Sequence, residues 1–156
     1  NLFQIVKYKN SKESLSNLKL DGLNFPNVLN TSNNSSTRII WMGPNNWYIC
    51  SLNEINKELN NFKDTDFAIT DLSHSRSIIE LQGDMVYEVI KKGCPLDVDK
   101  LKAGNCANTV YNGITITLDF ISNNPNIIRI FGLRSFGESL YHSITDSSLE
   151  FGYKSI

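Results

Sequence analysis

The chain has 156 residues, with fifteen basic side chains against sixteen acidic ones and a formal net charge of -1, so it lacks the electrostatic footprint of a nucleic-acid or polybasic membrane binder. Hydrophobic residues make up 40% and charged residues 20%, which excludes a disordered chain and fits one globular domain at this length. No apolar run approaches the roughly 18 residues that span a bilayer, and Asn1 to Asn10 has neither the charged start nor the apolar stretch of a secretory signal.

From Asn1 to Asn30 the pattern is weak, with Phe3, Ile5 and Leu18, Leu20 as candidate short edge strands. Asn30 to Thr37 is almost all Asn, Ser and Thr, whose side chains bond their own backbone, so a loop is expected. Arg38 to Met42 and Trp47 to Cys50 read as strands around the turn Gly43-Pro44-Asn45-Asn46, and together as a hairpin. Ser51-Leu52-Asn53-Glu54 then has the form of a capping box. Leu52, Ile55, Leu59 and Phe62 follow at helical spacing.

Phe67 to Leu72 and Ser75 to Leu81 are the next expected strands, the second with Ile79 and Leu81 on one face and Ile78 on the other. Asp84 to Lys92 reads as a short helix with Val86, Val89 and Ile90 on its apolar face, an acid at its start and two lysines at its end. Gly93 is the expected left-handed stop. Ala107 to Tyr111, the two-residue turn Asn112-Gly113 and Ile114 to Ile121 form a further hairpin. Ser122 to Asn126 turns into a strand over Ile127 to Phe131. Ser135-Phe136-Gly137-Glu138 offers a second capping box before a helix with Phe136, Leu140 and Ile144 as its stripe and Tyr141 beside them.

Hairpin and capped helix thus occur twice, near residues 38–62 and 114–148. Runs of antiparallel strands mixed with single helices specify an α+β class, not a parallel doubly wound sheet.

Cys50, Cys94 and Cys106 are too few for a disulfide framework, no CxxC pair is present, and His74 and His142 are the only histidines. No zinc site of ordinary spacing can be assembled locally, and a reduced, cytoplasmic setting is expected. Asn occurs 20 times, Ile 17 times and Lys 11 times against 4 Arg, a bias attributable to A- and T-rich codons. The sequon Asn34-Ser35-Ser36 is read as a product of the same bias.

Cys94 follows an expected helix C-terminus, whose partial negative charge opposes thiolate formation, so a packing or turn role is favoured over a nucleophile. Asp71, Ser73 and His74 contain the residue types of a triad but crowd one strand junction, and no Gly-x-Ser-x-Gly elbow is present. His142 belongs on the polar face of the last helix. Gly132-Leu133-Arg134-Ser135-Phe136-Gly137 has phosphate-loop spacing but ends in Glu138-Ser139 without the lysine. Arg134 could hold an anion, yet a strand-to-helix turn is the plainer reading. Trp41, Trp47, Tyr48, Phe131 and Phe136 are expected in the core, and any of them left exposed would mark an interface anchor. The residues by themselves therefore name no catalytic, cofactor-binding or metal-binding side chain, and favour a binding or assembly module.

Five segments, in order, resemble the gamma subunit of heterotetrameric sarcosine oxidase. Phe25-Pro26-Asn27-Val28-Leu29-Asn30-Thr31 is similar to the family's Leu-Pro-x-x-x-Asn-Thr. Trp41-Met42-Gly43-Pro44-Asn45-Asn46-Trp47 resembles Trp-Leu-Gly-Pro-Asp-Glu-Trp, with Asn45-Asn46 in place of the acidic pair. Asp71-Leu72-Ser73-His74-Ser75-Arg76 resembles Asp-x-Ser-His-Arg, with Ser75 where a basic residue is common. Lys92-Gly93-Cys94-Pro95-Leu96-Asp97 matches Lys-Gly-Cys-Pro-Leu-Asp. Arg134-Ser135-Phe136-Gly137-Glu138-Ser139-Leu140 resembles Arg-Ser-Phe-Ala-Glu-Tyr-Leu, with Gly137 for Ala.

The resemblance implies one gamma-like domain over residues 1–156, with structural repeats at about 37–92 and 106–150. Its fold would be related to the folate-binding domain of aminomethyltransferase, built from duplicated ferredoxin-like units. It implies a non-catalytic partner of the large alpha subunit, in a complex that also holds beta and delta chains. That complex oxidises sarcosine to glycine and passes the one-carbon unit to tetrahydrofolate, with FAD, FMN, NAD and zinc carried by the other subunits. No nucleic acid or membrane partner is implied. An alternative is a stand-alone folate-binding protein or enzyme of the aminomethyltransferase type. One such relative shares Lys-Gly-Cys but continues through Gly-Gln-Glu, where this chain has Pro95-Leu96-Asp97-Val98, and this chain is about half as long. A cysteine-dependent hydrolase using Cys94 and His74 is a third.

Overall fold

The computed structural model describes residues 1–15 and 18–156. The chain divides into two compact units, Asn1–His74 and Ser75–Ile156. The boundary falls inside the expected repeat over residues 37–92: the hairpin of that repeat belongs to the first unit and its last helix to the second. Each unit is α+β, with antiparallel sheets and few helices.

The first unit contains β1 (Leu2–Lys7), β2 (Lys19–Leu20), β3 (Leu23–Asn24), β4 (Thr31–Asn33), β5 (Thr37–Gly43), β6 (Asn46–Ser51), α1 (Asn56–Leu59) and β7 (Phe67–Asp71). Its main sheet has the order β4-β5-β6-β1-β7, and β2 with β3 forms a separate ribbon. The β5–β6 hairpin forms as expected, with Ile39 opposite Ile49 and Trp41 opposite Trp47. Asn45 takes φ 58° in the turn.

Three expectations are corrected in this unit. First, β1 is central, not an edge: it pairs with β6 through Phe3–Ile49 and with β7 through Ile5–Ile69. Second, residues 31–33 of the expected loop form an edge strand, because pairing with β5 uses backbone groups whatever the side chains are. Third, the Ser51 capping box does not form. Ser51 ends β6, its hydroxyl is 2.9 Å from that of Thr37, and it accepts from Asn53 N–H at 3.1 Å. The helix begins only after Ile55, without a side-chain cap, and Leu52 is 87% exposed. Ile55, Leu59 and Phe62 do enter the core, beside Phe3, Ile5, Ile39, Trp47, Ile49 and Phe67.

The second unit contains β8 (Arg76–Gln82), α2 (Val86–Gly93), β9 (Cys106–Tyr111), β10 (Ile114–Asn123), β11 (Asn126–Leu133) and α3 (Gly137–Ser148), its sheet ordered β8-β11-β10-β9. The two sheets thus differ in strand number and order. Asn112 and Gly113 take φ 45° and 83°, the left-handed pair that a tight two-residue hairpin demands. Val86, Val89 and Ile90 of α2 and Leu140 and Ile144 of α3 bury against Ile116, Leu118, Phe120, Ile128 and Ile130 of the sheet.

Two further corrections arise here. Gly93 is the last residue of α2 and does not adopt a positive φ. A Cβ there would lie 2.7–2.9 Å from three ring carbons of Tyr111, so glycine is used for close packing. The second capping box is also absent: residues 134–136 form a 3-10 turn, α3 has no side-chain cap, and Phe136 is 47% exposed instead of joining the stripe.

Candidate interaction surface

The five segments singled out in the sequence are occupied with holding the backbone together. Trp47 is buried, donates from Nε1 to the Pro26 carbonyl at 3.0 Å, and meets the Phe25 ring edge-on at 5.1 Å. Trp41 N–H donates to the Asn30 carbonyl. The first two segments therefore meet around one aromatic cluster, lining a cleft of about 460 Å³.

Asp71 and Ser73 close the first sheet. Asp71 Oδ1 accepts from Ser73 N–H at 2.8 Å, Ser73 Oγ accepts from Leu2 N–H at 3.0 Å, and Leu72 N–H donates to the Leu2 carbonyl. The hydrogen bonds from Ser73 hold the Asp71 carboxyl below its usual range, with the charges of His74 and the N-terminus adding to the effect. The serine oxygen thus serves the β1–β7 ladder.

Lys92, Gly93 and Cys94 are structural as a group. Lys92 Nζ donates to the Ser147 carbonyl in the last turn of α3, pairs with Glu150 at 2.6 Å and sits 4.6 Å from the Phe151 ring centre. That is favourable placement of a cation at a helix C-terminus. Cys94 is buried at the end of α2 with its Sγ 3.5 Å from Thr109 Oγ1. His74 belongs to the other unit. No disulfide joins Cys50, Cys94 and Cys106. Arg134 and Ser135 form the strand-to-helix turn, where Arg134 N–H donates to the Ser75 carbonyl. His142 is exposed, 3.8 Å from Glu138.

Among the described residues no group of three or more His, Cys, Asp or Glu is placed to hold a metal ion, and no buried side-chain N or O lacks a hydrogen-bond partner. Among the described residues no helix is long and apolar enough to cross a membrane.

The remaining candidate is surface. Of the five aromatic residues weighed in the sequence, Trp47, Tyr48 and Phe131 are buried, Trp41 is half-buried and Phe136 is exposed. Leu133 and Ile78 are also exposed, and the register puts them on one face of the second sheet, on neighbouring strands. A groove of about 710 Å³ opens beside β8, walled by Met85, Tyr141, Ile144, Phe151 and the final residues. Its size is that of a ligand or peptide cleft. Sequence reading missed this surface because Ile78, Met85 and Tyr141 sit in ordinary strand and helix patterns; only the edge position of β8 leaves them open.

No protein-family model matches the chain, and no curated protein matches it by sequence. Among solved structures it is similar to a chain of the heterotetrameric sarcosine oxidase from Corynebacterium sp. U-96, determined in complex with pyrrole 2-carboxylate. The TM-score is 0.80 at 22% identity, over 99% of this chain and 82% of that one. The chain therefore has the α+β fold of a component of heterotetrameric sarcosine oxidase.

Proposed function

We propose that the chain is a non-catalytic accessory subunit of a heterotetrameric sarcosine oxidase, the gamma chain, and that it binds the large alpha subunit. The observation that carries this reading is the near-full-length fold match. The matched chain is of comparable size, which fits a small subunit and not a large flavoprotein. The five gamma-like segments add to it. Each serves packing, turn or strand closure, as expected of a chain that supplies shape while other subunits carry FAD, FMN, NAD and zinc and hand the one-carbon unit to tetrahydrofolate. On this reading the setting is cytoplasmic.

The finer fold reading, ferredoxin-like units related to the aminomethyltransferase folate-binding domain, is supported by the first sheet. Its order β5-β6-β1-β7, with α1 between β6 and β7, is that of a ferredoxin-like unit whose first helix is replaced by a loop.

The test is co-expression with the alpha-type chain encoded in the same genome, followed by gel filtration with mass determination. A 1:1 complex with flavin on the larger chain is expected. Separate elution of two well-folded chains would overturn the assignment. A permanent interface of this kind should bury above roughly 2,000 Å² in total.

A further inference from the structure

Strand β8 is an edge of its sheet. On its inner side Gly83 N–H donates to the Asn126 carbonyl and Arg134 N–H to the Ser75 carbonyl. With Ile79 opposite Ile130 and Leu81 opposite Ile128, the hydrogen-bonded pairs fall on the odd-numbered residues. Antiparallel alternation then points the N–H and C=O groups of Ile78, Glu80 and Gln82 outward, away from β11. The side chains of the same three residues are exposed. Natural edges are commonly blunted by lysine, proline or repelling charge. Between Arg76 and Gln82 there is no lysine or proline, and the two charges have opposite signs, set symmetrically about Ile78.

An edge of this pattern is complementary to itself. Antiparallel pairing about a twofold axis at Ile78 sets Ile78 against Ile78 of the second copy, and Arg76 against Glu80 twice. Centring the axis on Glu80 opposes two carboxylates, which is unfavourable across strands, and centring it on Ile79 sets Ile78 against Glu80. In the first register each Glu80, already 2.8 Å from Arg129 of its own chain, gains a second guanidinium. We infer that two copies of this chain, in the absence of a partner subunit, pair antiparallel through β8, joining two four-stranded sheets into one of eight. The contact is isologous and closes on itself. The inference does not rest on the subunit assignment.

Sedimentation equilibrium of the isolated chain over a concentration series tests it, with Arg76→Glu and Glu80→Arg variants checked for folding by circular dichroism. A monomer–dimer equilibrium is expected for the wild type. Each variant alone opposes like charges twice and should weaken dimerisation roughly tenfold or more. An equimolar mixture of the two restores both opposite-charge pairs and should restore the dimer. If Glu80→Arg unfolds through loss of its Arg129 contact, Ile78→Lys reads the same surface and should weaken the dimer to a similar degree. A wild type that stays monomeric to its solubility limit overturns the inference, as do folded variants that dimerise like the wild type or a folded mixture that stays monomeric.

Discussion

Replacing Gly93 by Ala should destabilise the protein, although the same change in a helix ordinarily stabilises by up to ~1 kcal/mol. The new methyl would stand 2.7, 2.8 and 2.9 Å from Tyr111 Cζ, Cε1 and Cδ1, against a comfortable carbon–carbon separation of about 3.5–4.0 Å. The ring cannot step aside easily. Tyr111 is fully buried, and its hydroxyl donates to the Val89 carbonyl at 3.0 Å. Overpacking of this kind costs about 1–3 kcal/mol. Gly93 is the final helical residue, so little of the propensity gain is realised, and a net loss of about 1–2 kcal/mol is expected. That corresponds to a fall in Tm of about 3–6 °C at this chain length. Urea unfolding of Gly93→Ala, Tyr111→Leu and the double variant measures it. In the Tyr111→Leu background the alanine should cost nothing or stabilise, giving a coupling energy above about 1 kcal/mol. An alanine variant as stable as the wild type, or an equal loss in both backgrounds, would refute the close-packing account and return Gly93 to a simple chain stop.

Lys92→Met should lower stability by about 0.5–1 kcal/mol, measured by urea unfolding, because it removes the cation from the last turn of α3 and its partly exposed pair with Glu150. The Asp21 carboxyl is held below its usual range chiefly by hydrogen bonds from Asn34 and Thr37, with Ser36 contributing. A carboxyl with a lowered folded-state pKa adds stability above its unfolded value, near ~3.9, and loses it as pH falls through the folded value. Asp21→Asn should therefore flatten the acid limb of the stability–pH curve and leave its slope above pH ~5 unchanged; chemical unfolding at several pH values checks this. Trp47→Phe leaves the Pro26 carbonyl without its indole donor and should cost about 1 kcal/mol or more, read from the shift in urea midpoint.

Local signals were the legible ones. Asn112-Gly113 announces its turn because few other pairs adopt two left-handed residues in succession, and Ile79, Leu81 and Ile78 separate by face as strand alternation requires. A Ser followed three residues later by Glu specifies a cap only if the hydroxyl has no better partner. For Ser51 the Thr37 hydroxyl lies across the hairpin. The centrality of β1 was hidden because its partners come from distant segments around Ile49 and Ile69. Residues 31–33 pair through backbone groups, to which their Asn, Ser and Thr composition is indifferent. At the candidate surface, the sequence shows Ile78 as the odd residue of its strand, but only strand order makes it an edge residue. Phe136 falls outside the expected helix stripe because α3 starts one residue too late to include it.

Sarcosine-dependent oxygen uptake tests the division of labour most directly, run on three samples: the purified chain, the complex assembled without it, and the complex with it restored. The account predicts no turnover and no bound flavin in the first, and activity or stability that rises in the third over the second. Turnover by the isolated chain, or an assembly indifferent to its presence, would contradict it.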